Sequence, residues 1–379
     1  MQTAIYAPAE SIKRQPEVLS ELKSRWGLCV VIVRGEDPAA FRIVRENGLK
    51  AWWLAPGLWG ELDVPAGEEA VFVPIEGADI PAHERRWPML CPARPELGKR
   101  LGSEYATRAR NCGADGVLCT HLRYHHPADI HGLWGCVCKA WCAGAMREWG
   151  LSPAHLKEAL SKLPHAVRLA MAITSSGKRS SGSPAAVHPL AAWWDDLVGG
   201  DTFARWFRWR CHTVARLLAQ IESTFRGELE RPFAINAFEP FMAGAVGQDY
   251  STLVEFSNVL SPLLSYHDIH FVQSLSNLAS WLSTWAHAPN GLTAQAIAHV
   301  IGVRCDLEDR KKVTLACLEK AASAARALQV RFWPTFRALS CPPAEVRAYF
   351  EAASALGAEL IVFQGVDALL EHGTYPEWY

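Results

Sequence analysis

The feature that most constrains how this 379-residue chain can fold is a repeated alternation of short, continuously apolar runs with longer amphipathic stretches. The apolar runs fall at 29–34 (CVVIVR), 49–54 (LKAWWL), 70–75 (AVFVPI) and 116–122 (GVLCTHL). The second half supplies 232–238 (PFAINAF), 259–266 (VLSPLLSY), 330–336 (VRFWPTF) and 359–364 (ELIVFQ). Runs apolar at every position belong to strands covered on both faces, as in a parallel sheet wrapped by helices. Helical candidates lie between them at 95–111, 153–163, 202–225, 250–257, 311–328 and 344–356. Strand followed by helix, repeated in this way, predicts a single (β/α)8 TIM barrel over residues 1–379. A ninth β-like run at 300–305 (VIGVRC) reads as part of a helical insertion after the sixth strand. An open doubly wound sheet is the competing architecture. It needs a Gly-rich phosphate turn after its first strand, and Arg34-Gly35-Glu36-Asp37 is not one.

Charge narrows the partners. Lys plus Arg is 38 and Asp plus Glu is 39, a formal net charge of −1. That balance gives no electrostatic reason to expect nucleic acid or an acidic membrane surface. The first residues lack a basic segment followed by an apolar one, and no apolar run reaches the about 18 residues of a membrane span. The expectation is a cytoplasmic protein, with homo-oligomerisation left open. Eleven cysteines without a secretion signal point to free thiols or a metal site rather than a disulfide framework. The one low-complexity stretch, TSSGKRSSGSP at 174–184, opens a flexible loop and insertion over 174–200. Sixteen tryptophans, many in pairs or loops, fit either aromatic core or flat walls around a sugar, with Trp53 and Trp59 as candidate walls.

The sharpest local signal is Gly135-Cys136-Val137-Cys138-Lys139-Ala140-Trp141-Cys142. Three thiols this close can converge on one tetrahedral ion, and thiolate is a soft ligand suited to Zn2+. The expected fourth ligand is Cys91, in the loop after the third strand, because that loop and the one after the fourth strand are neighbours in a barrel. Cys112, Cys119 and His131 are alternatives. The zinc is expected to be structural, within a Cys-rich loop after strand four.

A CP-x-x-P loop followed by this cysteine cluster resembles the zinc site of the glycoside hydrolase family 42 β-galactosidases, over roughly 91–149. The chain reads C-x-C-x-x-x-C where that family has C-x-C-x-x-C. A second resemblance covers more of the barrel. Residues 115–124 (DGVLCTHLRY) are similar to the DG-x-x-LD-x-x-RY strand of uncharacterised, glycosidase-like barrel proteins. Gly247-Gln248-Asp249-Tyr250 and residues 260–267 (LSPLLSYH) are similar to their GQD segment and SPM-x-YH strand end. The resemblances imply carbohydrate handling. They also expose a departure, because Thr120 stands where the pattern has the strand-four carboxylate. The family 42 Asn-Glu pair has no counterpart between Thr120 and Cys136, where Asp129 is the only acid.

Glycoside hydrolysis uses two carboxylates across the scissile bond. The acids expected at carboxyl ends of strands are Glu76, Glu239, Asp249 and Asp268. Glu239, flanked by Phe238, Pro240 and Phe241, suits an acid or base of raised pKa. Asp249, followed by Thr252, also reads as a helix N-cap. Arg123, Tyr124, His125, His126, Gln248, Tyr266 and His267 are candidate substrate-binding residues. The leading expectation is therefore a glycoside hydrolase or related carbohydrate-active enzyme. Two alternatives stay open: a barrel that binds glycans without hydrolysing them, or a metal-dependent hydrolase or lyase using His125, His126, Asp129 and His131.

Overall fold

The computed structural model describes residues 2–58, 89–124, 131–139, 141–174, 188–264, 271–288, 291–337 and 343–364. The chain opens with β1 (Gln2–Pro8), α1 (Ala9–Arg14), α2 (Glu17–Trp26), β2 (Leu28–Arg34), α3 (Pro38–Glu46) and β3 (Lys50–Ala55). Next come α4 (Leu97–Cys112), β4 (Gly116–Cys119) and four helices: α5 (Cys142–Glu148), α6 (Pro153–Thr174), α7 (Pro189–Val198) and α8 (Thr202–Glu228). The second half runs β5 (Phe233–Ala237), α9 (Tyr250–Leu253), β6 (Val259–Pro262), α10 (Val272–Trp285), α11 (Ala294–Val300) and α12 (Arg310–Ala327). It ends with β7 (Arg331–Phe332), β8 (Thr335–Arg337), α13 (Pro343–Ala355) and β9 (Leu360–Gln364).

All strand pairings are parallel, in the order β7-β6-β5-β4-β3-β2-β1-β9-β8. The two outer members of that order are halves of one barrel strand, interrupted at Trp333-Pro334 because proline has no N–H to give to a ladder. The first half pairs with β6 and the second with β9, and a parallel bridge from Leu263 to Thr335 closes the ring. Eight strands thus form a (β/α)8 barrel, as the alternation predicts.

The strand inventory needed two corrections. β1 was missing from the sequence reading, because QTAIYAP is short, interrupted by polar residues, and sits at the chain start. It is central to the ring, paired with both β2 and β9. Conversely, β3 pairs directly with β4, so no strand lies between them in the sheet. The 70–75 run lies outside the described residues. With β1 counted, the loop carrying Cys91 follows the third strand among those described. Run 300–305 is not a strand, since α11 ends at Val300 and the chain turns there. The 153–163 helix continues through Pro164 to Thr174, and the 250–257 helix stops after one turn at Leu253. Within 174–200, residues 189–198 form α7, capped by the His188 ring, which accepts from Leu190 N at 3.2 Å.

Side-chain alternation divides each strand between two cores. Ala4, Tyr6, Val30, Ile32, Trp52, Leu118, Ala234, Val259, Trp333, Leu360 and Val362 fill the lumen. Their neighbours in sequence, among them Ile5, Val31, Val33, Trp53, Val117 and Ile235, face the helices. Trp52 and Trp333 meet inside with ring centres 5.0 Å apart. Gly116, opposite Trp52 in the β3–β4 pairing, makes room for it: a Cβ there would lie 2.6 Å from the indole. Gly116→Ala should therefore overpack the lumen and destabilise the fold by about 1–3 kcal/mol, read as a lower thermal midpoint with the secondary structure intact. An unchanged midpoint would mean that Trp52 can move aside.

Candidate functional site

The loops leaving β3 and β4 are fastened together before they reach the cysteines. Thr120 N donates to Ala55 O at 3.0 Å, Leu58 N to His121 O at 3.1 Å, and Leu90 N to Leu58 O at 2.7 Å. The approach is so close that a Cβ on Gly57 would lie 2.2 Å from the Thr120 carbonyl oxygen. Only glycine fits that position. The Leu58–Leu90 bond delivers Cys91 to the segment that follows β4.

There the sulfurs of Cys91, Cys136, Cys138 and Cys142 gather within 4.8 Å of one another, all buried. Cys91 lies 3.6 Å from Cys138 and 3.4 Å from Cys142, and Cys138 lies 3.5 Å from Cys142. None of the four is in a disulfide, whose sulfurs would approach to about 2 Å. Four sulfurs about 2.3 Å from a central ion stand about 3.8 Å apart at the corners of a tetrahedron. The three separations given lie just below that spacing and all four sulfurs lie within 4.8 Å of one another, so the donor set fits one tetrahedral ion. Of the alternative fourth ligands, Cys112 contacts the Ala109 carbonyl and Cys119 the Tyr105 hydroxyl at 3.6 Å. The thiols already bias one another's ionisation. Side-chain hydrogen bonding with Cys136, then Cys142 and Cys91, holds the Cys138 pKa well below the usual thiol range. Cys91 and Cys142 are pushed up, Cys136 acting most strongly on each.

Helix α8 braces this corner from outside the sheet. Trp206 Nε1 donates to Leu133 O at 2.9 Å, and the Arg210 guanidinium donates to Leu133 O at 3.0 Å and Gly132 O at 2.9 Å. Arg210 also covers the Tyr124 ring, 4.2 Å from its centre. Burial, then the charges of Cys142 and Cys91, push the Tyr124 phenol well above its usual range.

Glu239 sits two residues past β5 and is 1 % exposed. Its Oε2 accepts from Phe241 N at 2.9 Å, while Oε1 has no hydrogen-bond partner. Burial raises its pKa to about 8, against the opposing pull of that N–H and of the Lys320 ammonium on α12. The carboxyl is therefore protonated at neutral pH. Its other electrostatic neighbours include Tyr250 and Cys317. The nearby His188 is pushed down to about 4 by burial and holds Phe241 O at 2.8 Å.

The remaining sequence candidates separate clearly. Asp249 is an N-cap: its carboxylate accepts from Ser251 N, Ser251 Oγ and Thr252 Oγ1. Gln248 spends its amide on the frame, accepting from Phe238 N and donating to Leu122 O and Asn236 O. Arg123 donates to Tyr124 O and lies 4.8 Å from the centre of the Phe238 ring. Trp53 faces outward, 1 % exposed and edge-on to Tyr105 of α4. Its neighbour Trp52 is the one in the lumen. Most of the other described tryptophans are core of the helical layer: Trp134 packs with Trp194, Phe203 and Trp281, and Trp206 stacks on Trp209. Trp59, Glu76, His125, His126, Asp129, Tyr266, His267 and Asp268 lie outside the described residues, as does the side chain of His131.

One feature of the barrel escaped the sequence reading. A polar ladder crosses the carboxyl end of the lumen, with Tyr6 OH donating to Asn236 Oδ1 at 2.7 Å and Asn236 Nδ2 to Ser261 Oγ at 3.1 Å. Ser261 Oγ then meets Thr335 Oγ1 at 3.2 Å. The signal available was a lone Asn inside the apolar run PFAINAF.

Two outcomes follow. Cys138→Ser should lower metal content and thermal stability together, because an ion held by these thiols would contribute folding energy. Acidification should release the ion, since protons compete for the thiolates. Elemental analysis across a pH series checks both, and full metal content in the variant would break the ligand assignment. Separately, the folded chain keeps the Glu239 proton up to about 8, while the unfolded chain releases it near 4.5. Stability should fall as pH rises across that window and level off above it. Glu239→Gln should flatten the slope in denaturant titrations, and an unchanged slope would show that the carboxyl is solvated.

No protein-family model matches the chain and no curated protein is similar to it, so the family 42 resemblance rests on its motifs alone. A solved structure does share the fold. The chain is similar to the catalytic domain of beta-amylase from Paenibacillus polymyxa, with 14 % identity and a TM-score of 0.54, covering 97 % of this chain and 93 % of that one. It also aligns with the glycoside hydrolase domain of PelA from Pseudomonas aeruginosa, at 13 % identity, TM-score 0.43 and coverage of 96 % and 94 %. A third is an HpcH/HpaI aldolase from Desulfitobacterium hafniense DCB-2, at 11 % identity, TM-score 0.33 and coverage of 98 % and 89 %. Among the described residues no helix is long and apolar enough to cross a membrane.

Proposed function

We propose that this barrel is a carbohydrate-active enzyme that hydrolyses an O-glycosidic bond. The observation that carries the reading is the Tyr6–Asn236–Ser261–Thr335 ladder, a floor of neutral hydroxyl and amide groups. It lies at the carboxyl ends of the strands, where barrel chemistry is done. Hydroxyls and an amide suit a neutral polyhydroxyl ligand better than an ionic one. The end-to-end likeness to the beta-amylase catalytic domain supports the same direction. On this reading protonated Glu239 is the general acid, a role its raised pKa suits. Asp268, beyond β6, is the partner carboxylate. Asp249, its oxygens committed to the cap, is left out of the pair.

The ion held by the four thiols is, we propose, zinc, because an all-sulfur tetrahedral set is a closed structural site with no open position for substrate. Its contribution is to pin the loops after β3 and β4 at the edge of the mouth. The described thiols, all free of disulfides, fit a reducing, cytoplasmic setting.

A second reading is favoured by two particulars: Thr120 replaces a carboxylate at the end of β4, and Glu239 packs toward Lys320 and Cys317 of α12. On it the barrel binds a glycan without cleaving it. Incubating the protein with aryl glycosides and α- and β-linked oligosaccharides, alongside calorimetric binding, separates the two. The hydrolase reading expects turnover that falls at least 100-fold in Glu239→Gln with binding retained. Saccharide binding without turnover transfers the assignment to the second reading, and neither binding nor turnover removes both. A second ion per chain, lost to chelator together with activity, would instead favour the His125/His126/Asp129/His131 alternative.

A further inference from the structure

Arg210 is a fully buried cation without a carboxylate. It is 0 % exposed, its Nε has no hydrogen-bond partner, and its other nitrogens reach only the Leu133 and Gly132 carbonyls. Among the described residues no acid pairs with it. A guanidinium taken out of water in this way needs compensating negative charge nearby. The Tyr124 face supplies a little of it, at 4.2 Å. Tyr124 is itself fully buried, with a hydroxyl that has no partner. The electrostatic neighbours of that hydroxyl are Cys142, Cys91, Arg210 and Cys136, and those of Arg210 are Tyr124 and Cys211. Two unsatisfied donors, one of them cationic, therefore sit behind the segment that carries the thiols. Four neutral thiols would leave both without purpose. Four thiolates on a dication carry a net charge of about −2 and accept hydrogen bonds through sulfur.

We propose that Arg210 supplies the counter-charge for a dianionic tetrathiolate ion and that Tyr124, whose ring the guanidinium covers, donates its hydroxyl to a thiolate sulfur once the ion is bound. Both are positioning residues: they hold the charge and orientation of the ligands without touching the ion. The inference rests on the metal reading above, and it goes further by fixing the charge state of the centre. It also links helix α8 to the metal, since the guanidinium that balances the ion is the one that fixes the 132–133 carbonyls ahead of Cys136.

The test uses the full chain loaded with zinc or cobalt(II), as wild type, Tyr124→Phe, Arg210→Lys and Arg210→Met. Chelator competition gives the affinity. Arg210→Met should weaken zinc binding about 10–100-fold, and Tyr124→Phe about 10-fold. Arg210→Lys, which keeps the charge and loses the fork, should retain most of the affinity. In Tyr124→Phe the thiolate-to-cobalt charge-transfer band should shift, because a sulfur has lost its donor. The gap in thermal midpoint between loaded and metal-stripped protein should shrink in Arg210→Met. A merely structural tether would lower both midpoints equally, and that result, or an unchanged affinity and cobalt band in folded Tyr124→Phe, overturns the proposal. Wild type that takes up no ion overturns the metal reading itself, and the proposal with it.

Discussion

The structure at this end of the barrel depends on four buried sulfurs meeting from two separate stretches of chain. Cys91 arrives at the end of the long connection from β3, and the other three lie in the segment after β4. Among the described residues of the second stretch regular structure is short: α5 is seven residues long, and 131–134 is a single 3-10 turn. Their order comes from cross-links. The main-chain bonds through Leu58, Leu90 and His121 bring the segments alongside, and the thiols then face a common centre. Without a cation, gathering four thiols costs desolvation and mutual repulsion of any thiolates. With one, the same arrangement becomes favourable, and its stabilisation is expressed as folding of the loops.

The helical layer completes the arrangement from behind. α8 is the longest helix among those described, at 27 residues, and packs extensively on α4 along the outside of the sheet. Its Trp206 and Arg210 reach over to the carbonyls of the 131–134 turn. The barrel therefore fixes α8, α8 fixes the turn, and the turn presents Cys136. This chain of contacts runs through fully buried groups, where hydrogen bonds and charges act with little screening. The lumen, by contrast, is a packed core with one polar layer at its carboxyl end. What stands above that layer decides the chemistry.

Much of this was legible in the sequence, for identifiable reasons. Parallel strands covered on both faces leave continuous apolar runs, and seven of the eight barrel strands showed them. β1 did not, because Gln2, Thr3 and Pro8 break its pattern. The cysteine cluster was legible because thiols so closely spaced have few other uses, and Cys91 followed from barrel topology. Facing was not legible. A fully apolar strand gives no alternation to read, so Trp53, which faces α4, could not be told from Trp52, which faces the lumen. Nor could the sequence show that the Gln248 amide is consumed by Leu122, Asn236 and Phe238. A polar residue beside a strand end looks the same whether it serves a substrate or the frame. Arg210 was hidden for a related reason: one arginine in an amphipathic helix carries no mark of being buried.

The account stands on the claim that one ion is bound by sulfur alone. X-ray absorption fine structure at the zinc edge of the purified protein measures this directly. The prediction is a single shell of four sulfurs at about 2.3 Å, with no nitrogen or oxygen scatterer. A mixed shell containing nitrogen or oxygen, or purified protein with no zinc after expression in zinc-supplemented medium, would contradict it.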